Sequence, residues 1–237
     1  VTTDIDGEAR GYNGVFDIGA DEYRGSSAMN VDEVVDVTND LLAHWSFNEM
    51  RSSTVTDHSP LDNDGVWYGS GDDHYDSTGR YGTAGYFNGT NDYVLVTKGG
   101  GLDDLSEVTY SAWVNTSEYG SYDRIIDKGA MFRLELRGGK LYAEKRSSDS
   151  PNSDAISESE AVVIETDKWY HVLAVFSETG DKKIHLYVNG QEVIYASGKF
   201  EALSGDIPSD AGYDLKIGTY DASADNSWSG SIDEVNK

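Results

Sequence analysis

Apolar and polar residues alternate with a period of two along most of the chain after residue 40. The alternation is clearest in six segments, 92–98, 108–116, 131–137, 169–178, 183–196 and 213–220. Because successive side chains of a strand point to opposite faces of a sheet, this period predicts strands that bury one face. A helical period is not apparent in the sequence. We therefore expect an all-β protein, a sandwich of two antiparallel sheets.

One predicted hairpin joins segment 131–137 to the strand that follows it through Gly138-Gly139, which has the composition of a tight two-residue turn. Pairing across this turn sets Arg137 opposite Lys140. The leucines of the hairpin then face the core, and its charged residues share the other face. That face carries Arg133, Glu135, Arg137, Lys140, Tyr142, Glu144 and Arg146. The acidic stretch 149–160 that follows is predicted to be an exposed loop.

The motifs WSFNE, DHSPLDNDG, WYHVLAVF and SIDEV follow one another between residues 41 and 237. In this order they resemble laminin-G-like, concanavalin A-type jelly-roll domains. The resemblance implies a jelly-roll fold for residues 41–237. It leaves the function open, because lectins, carbohydrate-binding modules, adhesion domains and glycan enzymes share this fold.

Residues 1–40 have a different character and cannot form a core by themselves. The motifs DIDGEAR and DIGADEY within residues 1–23 resemble the closing segment of secreted, right-handed parallel β-helix proteins, many of which are polysaccharide lyases. The resemblance implies that residues 1–23 are the C-terminal remnant of such a domain in a secreted protein. Residues 24–40 are then interpreted as a linker to the jelly roll.

The chain is acidic overall, with 18 Lys+Arg against 43 Asp+Glu and a formal net charge of −25. Such a charge keeps a protein soluble and repels polyanions, so we expect a monomer without a nucleic-acid or membrane partner. It also suits a salty habitat, and a marine source is an expectation from composition. Seven of the 18 bases nevertheless lie between residues 124 and 146, against three acidic residues. This segregation of charge singles out the hairpin.

We interpret the basic hairpin face as a candidate site for an acidic glycan. Arginine binds carboxylate or sulfate oxygens through two parallel hydrogen bonds, and tyrosine offers a flat surface to a sugar ring. The predicted carbohydrate-binding residues are Tyr119, Tyr122, Arg124, Arg133, Glu135, Arg137, Lys140, Tyr142 and Arg146. The alternative is a solvated face whose ion pair between Arg133 and Glu144 contributes at most ~1 kcal/mol.

The DHSPLDNDG motif resembles a loop that holds structural calcium in many members of the family. The resemblance implies calcium ligands at Asp57 and Asn63, with Asp233 of the last strand and, more weakly, Asn48 of the first. Calcium prefers six to eight oxygen ligands, which these side chains and nearby carbonyls supply. The alternative is an Asx-turn that caps itself without metal.

Catalytic motifs of this fold are not recognisable in the sequence. Glycanases need paired carboxylates on one strand, whereas Glu135 stands alone between two arginines. We therefore predict a non-catalytic carbohydrate-binding module, which binds a uronate-containing or sulfated polysaccharide for a tethered polysaccharide-degrading enzyme. Two alternatives stay open. A protein-binding adhesion domain would expose an apolar patch, and a glycanase or lyase with unrecognised residues would cluster carboxylates in a cleft.

Overall fold

Short strands joined by turns make up the part of the chain that the computed structural model describes, residues 41–49, 52–69, 74–149, 154–220 and 226–237. The predicted remnant 1–23 and linker 24–40 lie outside these residues. The strands are β1 (His44–Trp45), β2 (Thr54–Val55), β3 (Gly65–Tyr68), β4 (Tyr75–Asp76), β5 (Ala84–Asn88), β6 (Tyr93–Val96), β7 (Glu107–Thr116), β8 (Asp123–Lys128), β9 (Phe132–Arg137), β10 (Lys140–Lys145), β11 (Ala155–Ser159), β12 (Tyr170–Ser177), β13 (Ile184–Val188), β14 (Gln191–Glu192), β15 (Tyr195–Glu201), β16 (Leu215–Ile217) and β17 (Ser229–Asn236). Among the described residues, no helix is long and apolar enough to cross a membrane.

The strands form two antiparallel sheets. One sheet has the order β14-β13-β12-β7-β17-β5-β4, with β1 also paired to β17. The second, the nine-stranded sheet, has the order β15-β11-β10-β9-β8-β16-β6-β3-β2. This arrangement confirms the predicted two-sheet antiparallel sandwich.

The core consists of the apolar side chains that alternate along the strands. Val172, Ala174 and Phe176 of β12 are buried, as are Leu134 and Leu136 of β9 in the nine-stranded sheet. Full burial of one large apolar side chain contributes about 1.5–3 kcal/mol, so the alternation in the sequence carries much of the free energy that selects this fold.

The β9–β10 hairpin has the predicted register, with Arg137 opposite Lys140 and Glu135 opposite Tyr142. Gly138 and Gly139 have φ angles of 57° and 81°. A two-residue turn with both φ angles positive matches the twist of the flanking strands, and glycine adopts it without steric cost. The two glycines therefore set which side chains of the hairpin face away from the core.

The prediction of an exposed loop at 149–160 is wrong for residues 155–159, which form β11 between β10 and β15. Ser157 and Ser159 are fully buried on this strand. Their hydroxyls donate to backbone carbonyls, Ser157 to Ile184 at 2.5 Å and Ser159 to Ala161 at 2.9 Å. Because these hydrogen bonds offset the cost of burying the hydroxyls, serine occupies inward positions that an apolar pattern does not reveal.

Candidate functional site

The candidate site lies on the outer face of the nine-stranded sheet, defined here as the face that points away from the core. Arg124 on β8 is the cross-strand partner of Glu135 on β9, which in turn is the partner of Tyr142 on β10. Cross-strand partners have side chains close enough to interact directly. The sheet thus brings together three of the predicted carbohydrate-binding residues.

Glu135 lies beneath the basic groups of this face. Its side chain is 0% exposed, and its Oε1 accepts a hydrogen bond from Nε of Arg137 at 2.6 Å. The other carboxylate oxygen is ion-paired with Arg124, whose Nε donates to Asp127 at 3.2 Å. Glu135 and Arg124 were predicted to contact the glycan directly, but both are buried. Glu135 thus joins Arg124 and Arg137 through its two carboxylate oxygens.

The predicted ion pair between Arg133 and Glu144 is confirmed, but its surroundings differ from a solvated face. The side chain of Glu144 is only 6% exposed. Tyr142 donates a hydrogen bond from Oη to Glu144 at 2.6 Å. Burial, together with this hydrogen bond, raises the pKa of Tyr142 to about 12. The phenol therefore stays protonated at neutral pH and, with Arg133, satisfies the buried carboxylate.

The ring of Tyr142 is covered rather than open. The guanidinium carbon of Arg137 lies 3.3 Å from the centre of the ring, and Tyr142 is 2% exposed. The prediction that Tyr142 offers a flat surface to a sugar is therefore wrong for this arrangement, because Arg137 occupies that surface. A cation over a tyrosine ring contributes about 0.5–2 kcal/mol.

The accessible charge on this part of the outer face is positive. The side chains of Arg137 and Lys140 are 26% and 35% exposed, whereas those of Glu135 and Glu144 are 0% and 6% exposed. Among the described residues, the acidic partner of Lys140 is distant, with the Lys140 Nζ 3.8 Å from Oε1 of Glu158. Acidic and basic groups are thus layered, with the carboxylates underneath and the bases towards solvent.

The predicted tyrosine rim is exposed, at 42% for Tyr119 and 43% for Tyr122. The Tyr122 ring lies beside the bases, with its centre 5.2 Å from the guanidinium carbon of Arg137 and 6.0 Å from that of Arg124. Tyr119 instead donates its hydroxyl proton to the carbonyl of Ile164 at 2.8 Å. Tyr122 is therefore the predicted aromatic residue best placed for a ligand.

Arg146 is the predicted site residue that the fold sets apart from this group. It follows the last residue of β10, and its N–H donates to the carbonyl of Met131 at 2.9 Å. Met131 precedes β9, so Arg146 lies at the end of the hairpin away from Gly138-Gly139. Its side chain is half-buried there.

Two further residues of the site were missed by sequence reasoning, Lys216 and Tyr220. Lys216 on β16 is the cross-strand partner of Asp127 on β8, and its Nζ donates to the carbonyl of Tyr220 at 2.7 Å. Tyr220 is 40% exposed, and its ring centre lies 5.9 Å from the guanidinium carbon of Arg124. The alternation in 213–220 placed Lys216 on an outward position, but the sequence does not show that β16 lies beside β8.

The predicted calcium ligand Asp57 is surrounded by hydrogen-bond donors. Its Oδ1 accepts from the N–H groups of His44 and Ser59, each at 2.8 Å. Its Oδ2 accepts from the Ser59 hydroxyl and from the N–H of Asn63, each at 2.7 Å. This donor set fits the alternative of an Asx-turn that caps itself, because both carboxylate oxygens already have two donors.

The predicted ligands Asn48 and Asp233 instead accept hydrogen bonds from residues 81–83. Oδ1 of Asn48 accepts from the N–H of Thr83 at 2.9 Å, and Oδ2 of Asp233 accepts from the N–H of Tyr81 at 3.0 Å. Burial raises the pKa of Asp233 to about 6. Within the described ranges, no group of three or more histidine and acidic side chains has the geometry to hold a metal ion. The hydrogen bonds of Asp57 favour the self-capped turn, and calcium stays a prediction from the sequence.

Comparison with protein families gives a match over residues 88–236 to the laminin G type model described as the concanavalin A-like lectin/glucanases superfamily. The matched region contains β6 to β17, including the hairpin that carries the candidate site. Comparison with curated proteins gives no match.

Several solved structures share the fold. Domain 4 of AbnA, an extracellular arabinanase from Geobacillus stearothermophilus, in complex with arabinotriose, matches with a TM-score of 0.57 and 20% identity, covering 83% of this chain and 90% of that one. The ligand binding domain of botulinum neurotoxin serotype D, in complex with N-acetylneuraminic acid, matches with a TM-score of 0.57 and 15% identity, covering 84% of this chain and 47% of that one. The receptor binding domain of mosaic serotype C/D matches with a TM-score of 0.60, 15% identity and the same coverage. This chain spans about half the length of the neurotoxin chains. At these identities the similarity shows the fold alone.

Proposed function

We propose that this chain, which belongs to the concanavalin A-like lectin/glucanase superfamily, is a non-catalytic domain that holds an anionic polysaccharide on the outer face of its nine-stranded sheet. The observation that carries the proposal is the layering of charge, with partly exposed Arg137 and Lys140 above buried Glu135. A carbohydrate ligand is supported by two structures of the same fold, which contain arabinotriose and N-acetylneuraminic acid.

The buried carboxylate of Glu135 holds the side chain of Arg137 in a position where it can bind a ligand. Glu135 holds Arg137 through a single bond to Nε. A guanidinium has five N–H donors. Within the described residues the terminal nitrogens of Arg137 make no hydrogen bond, so they can bind carboxylate or sulfate oxygens. Because Arg137 is already fixed by Glu135 and by the Tyr142 ring, binding costs less side-chain entropy than it would for a free arginine.

The acidic remainder of the chain acts on the same ligand from a distance. A net charge of −25 repels polyanions over long range. Salt near 0.5 M reduces the range of that repulsion to a few ångströms, while short contacts with Arg137 and Lys140 are weakened less than the long-range repulsion. We therefore expect weak binding at each site, with selectivity for polymers whose anionic groups can reach the exposed bases.

The wider setting of the domain is part of the proposal. The resemblance of residues 1–23 to the end of secreted β-helix proteins supports a secreted protein in which this domain is tethered to a polysaccharide-degrading enzyme. Tethering would keep the enzyme near its substrate, because a bound domain raises the effective concentration of its partner. The domain would bind the polysaccharide, and the tethered enzyme would degrade it.

The proposal is tested by affinity electrophoresis in gels that contain alginate, ulvan, carrageenan or the neutral glucan laminarin. We expect at least one of the anionic polymers, and not laminarin, to retard the protein, and Arg137→Ala to lose most of that retardation. Lys168→Ala is the matched control, because it removes one positive charge from an exposed side chain outside the site. Equal retardation of wild type and Arg137→Ala, or stronger retardation by laminarin, would contradict an anionic site at Arg137.

A further inference from the structure

A pair of stacked tyrosines lies on the same outer face, away from the basic hairpin. Tyr68 on β3 and Tyr93 on β6 are cross-strand partners, and their rings are 5.1 Å apart and inclined by only 9°. Tyr68 is 45% exposed although it is a large aromatic residue. Tyr68 therefore keeps a large solvent-accessible surface even though its ring stacks on Tyr93.

The tyrosine pair is continuous with the proposed site. Nζ of Lys216 lies 5.7 Å from the centre of the Tyr93 ring and donates to the carbonyl of Tyr220. The Tyr220 ring in turn lies near the guanidinium of Arg124. Rings and cations thus follow one another across the sheet from Tyr68 to the hairpin.

The length of this row is set by the sheet. It crosses β3, β6, β16, β8, β9 and β10, which are adjacent in that order. Neighbouring strands are 4.7–4.9 Å apart, so the five steps correspond to roughly 24 Å. A row of that length exceeds a single sugar and accommodates several consecutive rings of a chain that lies across the strands.

We propose that the Tyr68–Tyr93 pair is a second subsite, which takes the uncharged face of a sugar ring further along the polysaccharide chain whose anionic groups lie over Arg137 and Lys140. The inference rests on the proposed function and adds that the ligand is an extended stretch of polymer rather than one terminal sugar. An aromatic ring suits the C–H face of a sugar, because contact there removes apolar surface from water without requiring a charge.

The two subsites differ in their response to salt. Contacts with Arg137 and Lys140 weaken as ionic strength rises, because exposed charges are screened. Burial of apolar surface against Tyr68 does not depend on charge. The subsite at Tyr68 should therefore add a contribution that depends on chain length but is insensitive to salt.

The test uses disaccharides and hexasaccharides prepared from whichever of alginate, ulvan or carrageenan retards the wild-type protein, with affinities measured by titration calorimetry. We expect the hexasaccharide to bind wild type about tenfold more tightly than the disaccharide, and this ratio to persist in 0.5 M salt. Tyr68→Ala should abolish the ratio and leave disaccharide binding unchanged. Tyr86→Ala is the matched control, because Tyr86 is 43% exposed on β5 of the other sheet.

The outcomes separate the two proposals. If Tyr68→Ala binds both lengths as wild type does while Arg137→Ala binds neither, the second subsite is refuted and the proposed function stands. If Tyr68→Ala weakens both lengths equally, Tyr68 does not form a separate subsite. If none of the three polymers retards the wild-type protein, the proposed function fails and the second subsite fails with it.

Discussion

The guanidinium of Arg137 covers the ring of Tyr142, with the guanidinium carbon 3.3 Å from the ring centre. The same guanidinium donates from Nε to the buried carboxylate of Glu135. Arg137 is therefore held from two sides before any ligand arrives. These two contacts keep the positive charge of Arg137 above buried Glu135, on the side of the layer that faces solvent.

Arg137→Ala should reduce retention by an anionic polysaccharide several-fold, because it removes the partly exposed guanidinium and leaves Lys140 as the remaining base at the turn. We expect the free energy of unfolding to fall by about 2–3 kcal/mol, because Glu135 loses the Arg137 hydrogen bond and Tyr142 loses the covering guanidinium, while Glu135 keeps its ion pair with Arg124. Urea unfolding measures the second quantity. Retention equal to that of wild type, together with a loss of this size, would mean that Arg137 serves stability rather than binding.

Glu135→Gln should destabilise the fold and weaken binding together. From the sequence, Glu135 was predicted to contact the glycan; the structure instead places it, fully buried, between Arg124 and Arg137. Removing one partner of a buried ion pair typically costs about 3–5 kcal/mol, because the remaining charge loses its compensation. Glu158→Gln provides the control, as Glu158 is more exposed and pairs only distantly with Lys140. A variant with wild-type stability and retention would rule out the positioning role.

Asp233 should make the stability of the protein depend on pH. Burial raises its pKa in the folded state to about 6, from an ordinary value of 3.8. The folded state therefore binds this proton more tightly than the unfolded state does. The contribution of Asp233 to the free energy of unfolding is then most favourable below pH 3.8 and is lost as the pH rises through about 6.

The measurement compares wild type with Asp233→Asn by urea unfolding at pH 5 and pH 7. One pKa unit corresponds to ~1.4 kcal/mol. We therefore expect the free energy of unfolding of wild type to fall from pH 5 to pH 7 by about 1–2 kcal/mol more than that of Asp233→Asn. Comparing the two proteins cancels other titrating groups that they share. An identical pH dependence in both proteins would show that Asp233 does not titrate in this range.

Asp57→Ala should be strongly destabilising whether or not calcium binds. The carboxylate accepts four hydrogen bonds from His44, Ser59 and Asn63. Leaving buried N–H groups without an acceptor costs about 1–3 kcal/mol each, so we expect a loss of roughly 3 kcal/mol or more. Urea unfolding in the absence of added metal measures this loss.

Chelation distinguishes the self-capped turn from the predicted calcium site. The donors around Asp57 lead us to expect that a chelator leaves the melting temperature of the wild-type protein unchanged. A ligand that binds only the folded state adds ~2.7 kcal/mol at a hundredfold excess over its dissociation constant. A melting temperature that falls in chelator and recovers with calcium, but not with magnesium, would therefore establish the ion.

The sequence alone determined most of the long strands of the sandwich, although not β11, and the register of the basic hairpin. Alternation assigned Leu134 and Leu136 to the core and Arg137 to the opposite face. Gly138-Gly139 then fixed the pairing. These features are local, because a two-residue turn and a period of two act between residues close together in the chain.

Only the tertiary structure decided what the outer face presents to a ligand. The burial of Glu135 depends on Arg124 from another strand, and the row from Tyr68 to the hairpin depends on Lys216, a residue far along the chain. Alternation assigns a side chain to a face, but the order of strands in a sheet is set by the packing of the whole core. That order places the carboxylates under the bases, and no local pattern in the sequence records it.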